Sequence, residues 1–372
     1  MSSFFETPTP PTKLGHYRVL SPLAGIHVSP IQLGAMSIGD KWGDAGMGAM
    51  DKESSFKLLD AYFDNGGNFI DTANIYQDGT SEMFIGEWAE KRDIRDQLVI
   101  TTKYTNNTMR GNNAIAQRAL YVGNNIKSMH SSVGASLKRL RTTYIDILYL
   151  HWWDWSTGIE EVMNGLHNIV VQGKVLYLGI SDTPAWVVAQ ANQYARDHGK
   201  NTACLRRTLV ILITSFSGLA LAPFGVLAYG NIRSDAEEQK RKETGELGRT
   251  LFKPQWEHTE DQKNMVQALE KVAEEVGAKS MHAVAIAYVM QKVPYCFPII
   301  GGRKIENMLS NIEALDISLS EAQIAYLESI VPFDPGFPHT MIGDGTAYSS
   351  LTSSAGVFVK HPRPEPIRPS KN

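Results

Sequence analysis

The sequence predicts a (β/α)8 TIM barrel with an irregular or truncated sixth βα unit, and three observations carry that reading. Apolar runs of about five residues alternate with amphipathic stretches of about twelve, as in βαβ units around a parallel sheet. Seven strand candidates are centred near residues 33, 69, 100, 148, 178, 222 and 298, and the gap between Gln190 and Leu219 should hold an eighth. No Gly-x-Gly-x-x-Gly opens the first βα unit and no Walker A sequence occurs, which weakens the doubly wound alternative.

The elements follow in order. Residues 1–14 are polar and proline-rich and read as a flexible N-terminal tail. Residues 17–28 hold short apolar runs around Gly25, like a small hairpin. Residues 31–33 form the first barrel strand and lead into a loop through Gly34, Met36 and Gly39. Phe56, Leu58, Leu59, Tyr62 and Phe63 share one helical face, Gly66-Gly67 stops that helix, and residues 68–71 make the next strand. Ser81 caps a helix through residue 89, before a strand at 97–103. Helical spacing at 132–140, 159–171 and 185–195 brackets strands at 145–151 and 175–180. A strand at 220–227 runs into a loop, and the charged stretch 234–249, part of a surface segment 234–260, belongs outside. Helices at 261–276 and 280–291, a strand at 296–300 and helices at 305–314 and 320–329 close the pattern. The barrel is therefore assigned to residues 15–330, and residues 331–372 to a C-terminal loop and tail.

Composition bounds the function. A chain of 372 residues, 43% hydrophobic and 20% charged, can bury a large core without disulfides or metal. Two cysteines, Cys204 and Cys296, support neither a disulfide framework nor a thiolate metal site. A net charge of -3 favours neither nucleic acid nor an anionic membrane. No apolar run approaches the ~20 residues of a spanning helix, and the start lacks a signal-peptide core. The expectation is a soluble cytoplasmic protein with a small-molecule substrate; oligomeric state is not readable.

In a barrel, chemistry sits at the carboxyl ends of the strands. Those ends carry Asp71, Lys103 and His151, with Tyr76 five residues beyond Asp71. A lysine ammonium beside a tyrosine stabilises phenolate, an aspartate keeps that lysine charged, and the phenol can protonate a carbonyl oxygen. The histidine can position the same oxygen. Taken singly, each has a plainer role: a helix cap for Asp71, a solvated charge for Lys103, a rim histidine for His151, packing for Tyr76. Trp42, Trp152, Trp153 and Trp155 fall in or near rim loops, where they suit either packing or a flat carbonyl substrate.

The stretches Gly67-Asn-Phe-Ile-Asp-Thr-Ala-Asn-Ile-Tyr76, Ile100-Thr-Thr-Lys103, Tyr144-Ile-Asp-Ile-Leu-Tyr-Leu-His151, Leu178-Gly-Ile-Ser-Asp-Thr-Pro-Ala-Trp186 and Phe297-Pro-Ile-Ile-Gly-Gly-Arg303 resemble the aldo-keto reductase superfamily, in particular its fungal aryl-alcohol dehydrogenase and norsolorinic acid reductase-like branch. The resemblance runs over residues 15–343 with one interruption. It implies a tetrad of Asp71, Tyr76, Lys103 and His151, Tyr76 as proton donor and NADPH (or NADP+ in reverse) as cofactor. It implies Ser181 and Asp182 against the nicotinamide carboxamide, where asparagine is the more usual second residue; aspartate keeps the acceptors and loses the amide donor. Gly34, Ala35 and Met36 match the loop under the nicotinamide ribose, and Pro223, Phe224, Gly225 and Leu227 the loop along the pyrophosphate. Gly301 and Gly302 stand where other relatives use Lys-Ser, so Arg303 and Lys304 would supply the cation at the 2′-phosphate, with Asn307 and Asn311 on the adenine side. His339 and residues 333–342 match the family's C-terminal loop.

The pattern breaks at the sixth unit. This branch has a Tyr-Gln strand there, the tyrosine stacking on nicotinamide and the glutamine touching its carboxamide, whereas residues 201–218 contain none of the expected residues and are roughly ten too few. Residues 209–213 are the candidate substitute strand, with little room before Ala220 for a crossover helix. Either the segment has diverged and uses another aromatic such as Phe216, or the reading frame or splicing differs locally. Both threaten barrel closure and cofactor affinity. The resulting expectation is NADPH-dependent, reversible reduction of an aryl aldehyde or an aryl or polyketide ketone, as in reduction of norsolorinic acid-type anthraquinones in fungal secondary metabolism and mycotoxin biosynthesis. The alternative is an impaired barrel with a binding or regulatory role.

Overall fold

Leading from most strands to the next through helices, the chain closes eight parallel strands into a circle. The computed structural model describes residues 6–43, 46–208, 218–244, 258–336, 339–343, 345–362 and 364–369. A hairpin of β1 (Arg18–Ser21) and β2 (Ala24–Val28) comes first. The barrel then runs β3 (Gln32–Gly34), α1 (Lys52–Asp64), β4 (Phe69–Asp71), α2 (Thr80–Arg92), β5 (Val99–Tyr104), α3 (Ile126–Arg139), β6 (Ile145–Leu150), α4 (Ile159–Val171), β7 (Val175–Ser181) and α5 (Ala185–Asp197). It continues with β8 (Ala203–Thr208), β9 (Ala220–Pro223), α6 (Asp235–Thr244), α7 (Glu260–Val276), α8 (Met281–Lys292), β10 (Ile299–Gly301), α9 (Ile305–Ile312) and α10 (Glu321–Ile330). Two short helices, α11 (His339–Ile342) and α12 (Ser350–Ser353), follow.

The ladder order is β10-β3-β4-β5-β6-β7-β8-β9, parallel throughout. The ends meet where Leu221 N–H donates to the Tyr295 carbonyl at 2.9 Å and Phe297 N–H donates to the Leu221 carbonyl at 2.8 Å. On the inside, Phe69, Val99, Ile147, Leu205 and Phe297 pack with Leu20, Ala24 and Val28, so the hairpin plugs the N-terminal mouth. Chemistry is left to the other rim.

Local rules explain most boundaries. Asp51 caps α1 by accepting the Ser54 amide, and Thr259 and Ser320 form capping boxes on α7 and α10. Helix α3 begins at Ile126 rather than near 132 because Asn125 caps it, accepting from Ser128. Gly86 lets α2 cross the end of α3 closely, since a Cβ there would lie 2.4 Å from the Arg139 carbonyl oxygen.

The structure moves several expected limits. Strand β9 ends at Pro223, not 227, because Gly225 at φ +68 turns the chain. Leu14, read as part of a loose tail, is fully buried, and Thr12 donates to the Asn65 carbonyl beside it. The sixth barrel strand lies at Ala203–Thr208, upstream of residues 209–213, which fall outside the described residues, as does Phe216. Asn192 pins its start, accepting from the Ala203 amide and donating to the Ala203 carbonyl. Eleven residues, 209–219, separate β8 from β9, of which 209–217 lie outside the described residues, and the ladder still closes.

Candidate active site

Three strands deliver the four expected rim residues. Asp71 ends β4, Lys103 is the penultimate residue of β5, and His151 directly follows β6. Tyr76 sits in a 3-10 turn after β4. Lys103 is fully buried; its Nζ donates to Asp71 Oδ1 at 2.7 Å and to the Thr72 carbonyl. Thr101 Oγ1 donates to the same Asp71 oxygen at 2.9 Å. Burial pushes Lys103 down to about 8 against the pull of Asp71, and Arg207 lowers it further. Nζ lies 4.8 Å from the Tyr76 ring centroid, and the Tyr76 and His151 rings meet edge-on with centroids 6.0 Å apart. The four expected residues are thus brought together.

A chain of donors sets the state of His151. The indole of Trp152 can only donate, and it donates to Asn106 Oδ1 at 3.2 Å. The Asn106 amide nitrogen therefore faces His151 Nδ1, 2.7 Å away, and Nδ1 is the acceptor. Burial, then the charges of Lys103 and Arg207, hold the imidazole well below its ordinary range. His151 is consequently neutral with its proton on Nε2, a donor for a carbonyl oxygen.

Gln77 fastens the loop over Tyr76. Its amide nitrogen donates to the carbonyls of Met36 and Gly48, and its oxygen accepts the amides of Lys41 and Trp42. Both Gln77 and Asp78 have positive φ, a strain that this network holds in place. Gly39, at φ +121, lies where a Cβ would be 2.5 Å from that of Gln77. Trp42 packs edge-on to Tyr76 at 6.3 Å, and its indole Nε1 is buried without a partner among the described residues. Trp153 packs into the core, while Trp155 is exposed and lies 6.3 Å from Trp186.

The unexpected member is Arg207 on β8. Its Nη1 donates to Ser181 Oγ at 3.3 Å and its Nη2 to Tyr76 Oη at 3.4 Å. Nε lies 3.8 Å from Asp71 Oδ2, Nη1 lies 3.7 Å from Asp182 Oδ2, and the guanidinium covers the Phe224 ring at 4.0 Å. Burial raises Asp182 above the usual carboxylate range, with Arg207 pulling the other way. Asp182 itself has φ +37. Pro223 is buried and Gly225 turns the loop toward Leu227, which packs on the core.

Farther along the rim, Gly34 and Gly301 pair closely in the β3–β10 ladder: a Cβ on Gly301 would lie a tight 3.2 Å from the Gly34 oxygen. Ala35 donates its amide to the main-chain carbonyl of Asp71, tying the loop to β4. Gly301, Arg303, Lys304 and Asn307 are exposed around the start of α9, whose N-cap Lys304 makes no side-chain cap. Cations beside first-turn amides suit a phosphate. Asn311 is instead buried beside Ile312, on the inner face of α9. His339 is exposed on α11; residues 337 and 338 of that loop lie outside the described residues.

Sequence reasoning missed Arg207, Asn106 and Gln77. For Arg207 the available signal was an Arg-Arg pair on a chain about to reach the rim, next to strands ending in acids. Gln77 and Asn106 are ordinary loop amides until the fold surrounds them. Cys204 and Cys296 are buried thiols, each pushed up to about 12 by burial, and take no part.

Fold and rim together define a barrel built to hold a phenol beside buried cations and a neutral imidazole. The family model for the aldo/keto reductase family matches residues 30–332, and the chain belongs to that family. Aryl-alcohol dehydrogenase [NADP(+)] of Phanerodontia chrysosporium is 56% identical over 385 aligned positions, covering 100% of both chains. Those positions outnumber this chain's 372 residues, so the alignment opens gaps in it. Aldo-keto reductase ausK of Emericella nidulans is 48% identical across 94% of this chain and 90% of its own. Norsolorinic acid reductase B of Dothistroma septosporum is 43% identical, over 98% of this chain and 97% of its own.

Proposed function

We propose that this chain is an NADPH-dependent reductase of aryl aldehydes or of aryl and polyketide ketones, reversible toward the alcohol, acting in the cytoplasm. One observation carries it: the Tyr76 phenol lies against Lys103, Arg207 and a neutral His151 at the barrel rim. The names of the relatives supply the aryl and polyketide substrate class and the NADP(H) preference.

The residues suit this cofactor. Arg303 and Lys304 would hold the 2′-phosphate, with Asn307 beside them. Gly34, Ala35, Met36 and the loop of Pro223, Phe224, Gly225 and Leu227 would flank the ribose and pyrophosphate. At the nicotinamide end Asp182 offers only acceptors; the Nε of buried Arg207, which makes no hydrogen bond among the described residues, and the Nη1 that donates to Ser181 supply donors.

Bound NADPH would supply the hydride that reduces the carbonyl carbon. Tyr76 gives its hydroxyl proton to the carbonyl oxygen as negative charge grows there. His151 Nε2–H donates to the same oxygen and fixes its approach. Lys103, held by Asp71, stabilises the phenolate left behind. Trp42 and Trp152 would wall the pocket, and the open indole proton of Trp42 is a further donor.

The test is NADPH oxidation with a panel of aromatic aldehydes and ketones, wild type against Tyr76→Phe. Loss of about 10²-fold or more in kcat on removing the phenol is expected, in line with general acid catalysis. A wild-type chain that binds NADPH but reduces none of the panel would overturn the enzyme reading in favour of a binding role.

A further inference from the structure

Lys103 gives two of its three N–H donors to Asp71 and the Thr72 carbonyl, and its Nζ lies 4.8 Å from the Tyr76 ring centroid. Arg207 reaches the Tyr76 oxygen, its Nη2 lying 3.4 Å away. A guanidinium has no acceptor, so in this contact the phenol oxygen accepts, and the phenol proton is directed elsewhere. When Tyr76 gives that proton away, the oxygen becomes an anion already facing a donor of opposite charge, and charge-assisted bonds are the stronger ones.

Arg207 is held for this position. Its register pairs it with Ser181 on β7 and Ala222 on β9, on the rim of the closed ladder. Less than a tenth of its side chain is exposed, Phe224 supports its face, and Asp71 and Asp182 flank it within 4 Å. The titratable and charged groups around Tyr76 include Lys103 on β5, Tyr149 and His151 on and after β6, and Arg207 on β8, with Asp71 on β4 and Asp182 after β7 flanking Arg207.

We propose that Arg207 is a positioning residue for the reaction, aligning Tyr76 through its oxygen and stabilising the phenolate, a task it shares with Lys103. Two facts deepen the division of labour. Lys103 is pushed down to about 8, so its charge fades in mildly alkaline solution. Burial opposes the charge on Arg207, but Tyr76, Asp71, Asp182 and Tyr149 more than offset it, so the guanidinium stays ionised throughout. The kinetic consequence rests on the proposed proton-donor role of Tyr76; the ionisation of Tyr76 does not.

The experiment therefore reads ionisation directly. Absorbance near 295 nm, where phenolate absorbs, is followed against pH for wild type, Arg207→Met, Arg207→Gln and Arg207→Lys. Because the chain has 14 tyrosines, each curve is corrected by its Tyr76→Phe counterpart. The expected result is a Tyr76 ionisation constant about tenfold or more weaker in Arg207→Met and Arg207→Gln, restored largely by Arg207→Lys. If Arg207→Met does not fold, Arg207→Gln against Arg207→Lys carries the comparison. Unchanged titration in all variants overturns the proposal, and so does an equal shift in Arg207→Lys. In alcohol oxidation the alkaline rise of kcat should move up in step. A wild type without turnover whose Tyr76 still titrates as described would sink the enzyme reading and leave the role of Arg207 toward the phenol standing.

Discussion

The side-chain oxygen of Gln77 accepts the main-chain amide of Trp42 at 2.8 Å, one residue beyond the phenol that Trp42 covers. Because the same amide group also engages Lys41, Met36 and Gly48, it stands in for a strand pairing that the loop lacks. Gln77→Leu would strand those four backbone groups, at about 1–3 kcal/mol for each that water does not reach. Gln77→Glu should be no milder, since it sets a carboxylate against the Met36 and Gly48 carbonyls. Trypsin should then cut after exposed Lys41 faster in either variant than in wild type, with a lowered Tm. Equal cleavage rates would show that the loop is held by other means.

The tautomer of His151 is fixed from outside the site, by Trp152 through Asn106. Asn106→Leu removes the donor to Nδ1 and frees the proton to move there, away from the substrate. A fall in kcat of about 10-fold or more is expected, with little change in Tm. Nitrogen chemical shifts of His151 should show Nδ1 unprotonated in wild type and mixed in the variant. A protonated Nδ1 in wild type would contradict the chain of donors.

How much of this was legible in the sequence depends on what kind of force placed each residue. Strand ends were readable because apolar runs stop where the rim begins, so Asp71, Lys103 and His151 could be located by counting. Strand β8 was not, since Ala203–Thr208 carries two arginines and lacks the apolar run that a strand in a barrel ordinarily shows. Its inward Cys204 and Leu205 suffice for the lumen, and acids from other strands offset the burial of Arg207. Such pairing is long-range and leaves no local pattern. Asn311, which motif position suggests for the adenine side, is buried beside Ile312 on α9.

The Asp71–Lys103 pair predicts a stability effect distinct from activity. Neither side chain reaches solvent to any extent, and removing one partner of a buried pair costs about 3–5 kcal/mol. Asp71→Asn should lower the urea midpoint accordingly. Adding Lys103→Met to it should recover part of the loss, because the uncompensated ammonium is gone. A double variant as unstable as the sum of the two single ones would show that the pair is not coupled.

His151 gives a pH dependence whose sign can be worked out. Its folded pKa is depressed, so below its ordinary value of 6.5 the unfolded chain binds a proton that the folded chain refuses. Stability is therefore lost as pH falls from about 6.5 toward the folded value, and is unaffected by this group at higher pH. Between pH 7 and pH 5.5 the loss is on the order of 1 kcal/mol, about 1–2 degrees in Tm for a chain this long. In His151→Phe that titration is absent, so the same acidification should lower Tm less than in wild type. Parallel Tm curves for the two proteins would mean that the imidazole takes up its proton in the folded state, and the neutral Nε2 donor would have to be given up.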